Sequence, residues 1–407
     1  MTIPPTPTTP DTPPASSMTV VRPLETLIVE DFGAYVGKHS ERLRVTVKGE
    51  VKSEAPLLYL RQVIVKARGV SISSDAILAC AERGIAVHFV SGVGAQSGAS
   101  LYTAGLTGTV LTRRAQLLAY TDVRALTIAG TIASAKINNQ DGLLLYHARS
   151  RKTNAPKLAA ELRLLAHEVL DHDAELDDLL ARARAAKAPD TSDTNYTPDT
   201  SATDAAPNTP ITSDTADTRD TRNTAYPIDR YRNALLSIEG RAAQKYWAGV
   251  KLLLPAELGW EGRRTRNARD PFNSALNYGY AILGRQIEQA LVLAGLDPFA
   301  GFLHADRPGK PSLTFDLIEE FRQTVVDRTV IGMVGKGMPI TMREDGLLDD
   351  DARRAIAERV IERIEQSAER YEGKRRTLRE IIQTQARHMA TYLRGDRDAY
   401  HAFKAKW

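Results

Sequence analysis

The chain has 407 residues, 43% of them hydrophobic and 26% charged, with a net charge of +4 and one cysteine. Such a composition builds ordinary soluble cores in two or three domains and holds no apolar run long enough to cross a membrane. A lone Cys80 excludes an internal disulfide and fits a reducing cytoplasm, with the thiol expected as a small core residue.

The charge is uneven. Between Asp190 and Arg222 seven Asp stand against two Arg, and removing that local −5 leaves about +9 on the remainder. A basic body points mildly to a polyanionic partner.

Residues 1–21 form a Thr/Pro-rich tail without the basic start and apolar centre of a signal peptide, expected to be disordered. Residues 22–107 read as a β-rich domain. ETLIVED and QVIVKA are short apolar runs, and in RLRVTVKG Leu43, Val45 and Val47 alternate with Arg and Lys, the period of a half-buried strand. SSDAILACAERG predicts one short helix, with a Ser cap, Asp75 in the first turn, an apolar set of Ile77, Leu78 and Ala81, and Gly84 as its stop. IAVHFV is a further strand and SGVGAQSGAS a Gly/Ser turn.

Residues 108–407 change to helical spacing. One helix is expected from a Thr112 cap through about Arg149, and a second along LAAELRLLAHEVLDHDAELDDLLARARAA. Residues 188–225 are a low-complexity Thr/Asp/Ala/Pro insertion, expected to be disordered. Helices resume at Pro227, run past a basic loop (GWEGRRTRNARD), and include a pair near the C-terminus broken at Gly373. Gly332, Gly335 and Gly337 read as a loop around Lys336. The fold class is therefore α+β, a β-rich N-terminal domain with one short helix before a larger all-α domain that carries the chemistry.

Chemistry concentrates in FLHADRPGKPSLTFDLIEEFR. His304 precedes a turn, and Asp316 and Glu319 follow at i,i+3 spacing, which on a helix shares one face. A third acid, Glu239, sits among Leu235, Leu236, Ala242, Ala243, Tyr246 and Trp247. A carboxylate in apolar surroundings needs a partner, either a metal or a cationic side chain. In isolation His304 also reads as a hydrogen-bonded histidine and Glu319-Glu320 as a solvated helix face. Taken together, a Glu, a His and a further carboxylate make a mixed O/N set suited to Mg²⁺ or Mn²⁺. Zinc fits poorly, because no CxxC or HExxH occurs. Lys336 is followed by Gly, so its loop is not a P-loop, and no GxSxG supports a serine hydrolase. Arg263, Arg264, Arg266 and Arg269 share one loop, and Arg307 and Lys310 lie between His304 and Asp316. These are either a solvated surface or phosphate contacts.

Three segments carry a resemblance. NALLSIEGRAAQKYW, then DPFNSALNYGYAILGRQIEQALVLAGLDPFAGFLH, then KPSLTFDLIEEFR followed by VVDR, resemble in order the motifs of the CRISPR adaptation integrase family, Cas one. SISSDAILACAERGIAVHFVSGVG and the closing YHAFKAKW resemble its β-domain and its aromatic-basic tail. The resemblance spans about 22–185 and 226–407. It implies a metal-dependent DNA endonuclease and integrase with Glu239, His304 and Glu319 as ligands of Mg²⁺ or Mn²⁺, and Asp316 as a supporting acid. It implies a homodimer through the β-rich domain and a small partner, Cas two. It also implies double-stranded DNA as substrate, both the prespacer and the repeat target, with 3′-hydroxyls attacking phosphodiesters. Arg263, Arg264, Arg266, Arg307 and Lys310 would hold phosphates. An integrase of a mobile element, a non-catalytic DNA-binding scaffold and a repair nuclease are the competing readings.

Overall fold

The computed structural model describes residues 26–90, 98–101, 109–185 and 227–407. The expected N-terminal tail, most of the Gly/Ser turn and the Thr/Asp-rich insertion lie outside the described residues. The chain divides into two compact units, one of Met1–Phe89 with Ala99–Thr103 and one of Val90–Gly98 with Ala104–Trp407. No helix among the described residues is long and apolar enough to cross a membrane.

The first unit holds two four-stranded sheets. In one, β1 (Thr26–Val29), β5 (Gln62–Val65), β7 (Ala86–Val90) and β8 (Gly98–Leu101) are neighbours in that order, with the β1–β5 and β5–β7 pairs parallel. Every residue of β5 is buried, as a central parallel strand covered on both faces requires. The other sheet runs β4 (Glu50–Pro56), β3 (Arg42–Val47), β2 (Tyr35–His39), β6 (Ser71–Ile72). In β3 only Leu43 and Val45 turn fully into the core, so the alternation in the sequence sets the register.

Helix α1 (Ser74–Glu82) starts where Ser73 accepts a hydrogen bond from the Ala76 amide. Its inward face is not the expected one. Ala76, Ala79 and Cys80 are buried while Leu78 is 59% exposed. The small face lets the helix approach the strands closely. Burial pushes the Cys80 thiol up to about 11, leaving it an inert core residue.

The second unit is built on α3 (Val123–Ser150), a helix buried on most sides and packed by α4 (Pro156–Ala185) and α5 (Pro227–Lys251). The single helix expected from a Thr112 cap is instead two. Thr112 is a buried residue inside α2 (Thr109–Leu118), a 3-10 turn follows at Ala119–Thr121, and Asp122 caps α3 by accepting from the Arg124 amide. Helix α6 (Pro271–Leu293) is opened by the Asp270 cap with Pro at its first position, where a missing N–H costs nothing.

Helix α7 (Ser312–Ile318) passes through a turn into a π-helical turn at Gln323–Asp327 and then α8 (Arg328–Gly335). Gly332 and Gly335 are therefore helical rather than loop, because Val330, Ile331, Met333 and Val334 bury one side of α8; only Gly337, at φ 68°, is a turn glycine. The last two helices, α9 (Asp350–Gln366) and α10 (Leu378–Arg394), are separated by a hairpin of β9 (Ala368–Tyr371) and β10 (Lys374–Thr377), so this unit is not purely helical. Glu372 and Gly373, both at positive φ, form its two-residue turn. A capping box between Thr377 and Glu380 then starts α10.

Candidate active site

Four segments of the second unit converge on one buried group of charges. Helix α3 contributes Lys136, α5 contributes Glu239, the segment after α6 contributes His304, and α7 with its following turn contributes Asp316, Glu319 and Arg322.

The His304 segment is held at both ends. Gln116 of α2 donates to the carbonyls of Asp297 and Ala300 at 2.9 and 2.8 Å and accepts from the Asp297 amide at 2.8 Å. Gly301 must be glycine, because a Cβ there would come 2.6 Å from the Ser312 Cβ and 2.7 Å from its carbonyl carbon. That approach folds residues 301–304 over the start of α7.

Asp316 is fully buried and fully used. Its Oδ2 accepts from the amides of Phe302 (2.5 Å) and Leu303 (3.0 Å), and its Oδ1 from the His304 amide and Nδ1 at 2.8 Å each. A carboxylate accepting four donors has little capacity left for a cation. Its bond fixes the Nδ1–H tautomer of His304 and leaves Nε2 with the lone pair, the arrangement by which a second carboxylate orients a metal-binding imidazole. Burial pulls the His304 pKa down, but the Asp316 bond and charge, with Glu319 and Glu239 behind them, outweigh it and leave it above the ordinary value.

The two glutamates face each other across Lys136. Its ammonium hydrogen-bonds Glu239 Oε1 and lies 2.7 Å from Glu319 Oε2. Glu319 Oε1 pairs with Arg322 at 3.0 Å, and the Arg322 guanidinium sits 4.7 Å from the Tyr280 ring. Burial opposes charge on Glu319, but Arg322 and Lys136 together hold its carboxyl well below the usual range. Lys136 is likewise penalised by burial, and the two glutamates more than offset this and raise its pKa. Glu239 Oε2 is buried without a hydrogen-bond partner, and Glu319 Oε2 has only the ion-pair contact.

These under-satisfied carboxylate oxygens, together with the His304 Nε2 lone pair, are the hard and borderline donors that Mg²⁺ or Mn²⁺ takes. Among the described residues, no three such side chains already close around one point at metal-binding distance. The cation between the two glutamates is the Lys136 ammonium, and a divalent ion would share or take its place.

Glu319 and Glu320 do not form a solvated face; they are 2% and 0% exposed. Glu320 turns away from Glu319 and accepts from the Phe403 amide, Gln385 Nε2 and the Tyr400 hydroxyl. Asn139 of α3 completes that anchor, donating to the carbonyls of Glu320 and Phe403 and accepting from the Ala405 amide. The aromatic-basic C-terminal segment is thereby tied to the residue next to Glu319.

The basic residues divide. Arg263 is enclosed, donating to Asn273 and Asn277 and lying against the Trp247 and Tyr280 rings, so its guanidinium organises the loop. Burial pulls its pKa down. Arg264 pairs with Glu261 in the open, and Arg266 and Arg307 are exposed. The Lys310 amide donates to the Arg307 carbonyl, closing their turn.

Lys136 and Arg322 went unread in the sequence. Lys136 is a lone cation in ALTIAGTIASAKIN, the same signal of a buried charge seeking a partner that singled out Glu239.

The sequence matches the family described as CRISPR associated protein Cas1 over residues 27–188 and 201–362. It is 33% identical over 392 residues to the CRISPR-associated endonuclease Cas1 1 of Archaeoglobus fulgidus, covering 94% of this chain and 99% of that one. Its fold is similar to that of a casposase bound to integration product, with a TM-score of 0.68 and 20% identity over 94% of this chain and 95% of the casposase. A Cas6-RT-Cas1–Cas2 complex shares the fold with a TM-score of 0.63 and 19% identity, over 93% of this chain and 36% of that one.

Proposed function

This chain belongs to the Cas1 family, and from that premise we propose that it is a metal-dependent DNA endonuclease and integrase of CRISPR adaptation. It would insert short duplexes into a repeat array by 3′-hydroxyl attack on phosphodiesters. The observation that carries this is the pairing of two under-satisfied buried glutamates with a histidine whose Nδ1 is fixed by Asp316.

Glu239, Glu319 and His304 Nε2 would hold Mg²⁺ or Mn²⁺. Bound there, the ion polarises a phosphodiester and steadies charge on the displaced oxygen. Asp316 holds His304 in its tautomer and rotamer, and Arg322 keeps Glu319 charged and aimed inward. Arg264, Arg266, Arg307 and Lys310 would meet phosphates around the site, while Arg263 braces the loop that carries the first two. DNA, a second copy of the chain joined through the β-rich unit and a Cas2-type partner are the expected associates. The similarity to a Cas1–Cas2 assembly supports the last.

Strand transfer is assayed with the purified chain, a Cas2-type partner, a prespacer duplex, a repeat target and Mn²⁺. Glu239→Ala, His304→Ala and Glu319→Ala are each expected to remove it, and full activity in Glu239→Ala or His304→Ala overturns the reading. Asp316→Asn is expected to cost about 10–100-fold in rate and in Mn²⁺ affinity alike, as loss of an outer-shell carboxylate does. An Asp316→Asn protein that binds Mn²⁺ like wild type would remove Asp316 from that role.

The casposase likeness favours a second reading, an integrase of a mobile element. A repeat array beside the gene supports the first and terminal inverted repeats the second.

A further inference from the structure

Glu319 meets its two cations in different ways. Lys136 faces Oε2, while Arg322 reaches Oε1 through Nη2 at 3.0 Å. A guanidinium beside a carboxylate frequently forks across both oxygens. Arg322 does not. Its Nε is buried without a hydrogen-bond partner, and Glu319 Oε2 takes no hydrogen bond from it.

A ring holds the guanidinium in this one-point pose. Arg322 lies over Tyr280 of α6, 4.7 Å from the ring centroid. Tyr280 is itself fixed. Its hydroxyl donates to Oδ1 of the fully buried Asp327, which takes the Tyr246 hydroxyl on Oδ2 at 2.6 Å. Helix α6 lies so close to the π-helical turn that a Cβ on Gly279 would come 2.6 Å from Val326 Cγ1. Arg263, at the root of the basic loop, lies over the same ring at 5.4 Å. Tyr280 is 6% exposed, and a ring attracts a cation most strongly where water is excluded. An aliphatic side chain in its place would fill the space and exert no such pull.

We propose that Tyr280 is a positioning residue for the metal site: its ring restrains Arg322 to a single contact, so that Glu319 stays charged and keeps Oε2 open for a metal. Tyr280 acts through Arg322. With the ring's pull weakened, the guanidinium is free to fork across both oxygens of Glu319 and to compete with the metal for them. The proposal rests on the metal-dependent strand-transfer reading and adds the residue that keeps a ligand oxygen available.

The test varies the charge on the ring face at nearly constant size. Tyr280→Phe is compared with mono- and trifluorophenylalanine at the same position, inserted by amber suppression. Mn²⁺ affinity of the full chain is measured without DNA by calorimetry, for the site that Glu239→Ala removes. Tyr280→Phe gives up one bond to Asp327, which keeps Tyr246, and is expected to bind Mn²⁺ within about twofold of wild type. The trifluoro ring should bind about tenfold more weakly than Phe, the size of a lost outer-shell contact, with the monofluoro ring between them. On an Arg322→Gln background the same series should be flat. Unfolding midpoints should hold along the series, since the packing is unchanged. A flat series with Arg322 present, or an equal decline without it, overturns the role of Tyr280. Strand transfer by the wild-type chain is scored separately. Its absence alongside the graded series sinks the integrase reading and leaves the positioning role standing. Its presence alongside a flat series does the reverse, and a wild-type chain that binds no Mn²⁺ at this site overturns both.

Discussion

Lys136→Met is expected to destabilise the second unit by about 3–5 kcal/mol at pH 7, the usual cost of removing one partner from a buried ion pair. Wild-type Lys136 faces Glu239 and Glu319, which are 8% and 2% exposed, and a thioether in its place would leave two carboxylates confronting each other without solvent. The pH dependence has a definite sign. Glu319 is held below its ordinary 4.5 in the folded wild type, so its contribution is present above that value and lost as pH falls through the lowered one. In the variant, protonating a glutamate relieves repulsion. The gap between the two proteins should therefore narrow on acidification, measured as urea midpoints from pH 7 to pH 4. Adding Glu239→Gln to Lys136→Met should restore much of the loss, because the remaining carboxylate keeps Arg322. Mn²⁺ should raise the midpoint of Lys136→Met more than that of wild type, as a ligand that replaces the missing cation. A variant within about 1 kcal/mol of wild type at pH 7 would remove Lys136 as the counter-ion of the pair.

Glu320→Ala is expected to cost about 2–4 kcal/mol, because it strands a buried amide and a buried hydroxyl and leaves a buried carboxamide with only its bond to the His401 carbonyl. Phe403 N–H, Gln385 Nε2 and Tyr400 O–H all end on this carboxyl. The local readout is hydrogen exchange, where the Phe403 amide should lose protection. Persistence of that protection in Glu320→Ala would show that the tail does not depend on this side chain. Glu320→Gln keeps the acceptor and the size and should be mild. Burial pushes the Glu320 pKa up to about 8 from 4.5, against the pull of the three donors. Between those values the folded chain binds more protons than the unfolded one, so this group's contribution falls as pH rises. Wild type should lose stability relative to Glu320→Gln on going from pH 5 to pH 8.

The legible parts of the fold were those with a single strong period. Leu43 and Val45 alternating with basic residues placed one strand and the β-branched QVIVKA run another, whose burial along its whole length only the fold shows. Ser73 and Asp75 marked the start of α1, but hydrophobicity picked Leu78 for its inner face where the strands required small residues. The interruption at Asp122 was hidden because Ala119–Thr121 continues the apolar spacing, and only the capping acid betrays it. The β9–β10 hairpin was hidden for the opposite reason. Glu372-Gly373 signalled an interruption, while the four residues on each side have no apolar alternation. At the site, motif order brought forward Glu239, His304, Asp316 and Glu319. The hydrogen bonds then show which acid turns to the histidine and which to the cations. Lys136 could not be placed, since its two glutamates lie on other segments and the nearer in sequence is 103 residues away.

The π-helical turn at Gln323–Asp327 has a consequence for chain length. In a regular α-helix, residues eight apart such as Glu319 and Asp327 differ by about 80° around the axis, at roughly 100° per residue. A turn that absorbs one extra residue brings them to within about 20° of each other. That shared side matches Arg322, which pairs with Glu319 and lies over the Tyr280 ring whose hydroxyl donates to Asp327. A chain one residue shorter here could close into ordinary helix with both acids still in phase. Insertion of a further residue has no such refuge and would turn Asp327 away from Tyr246 and Tyr280.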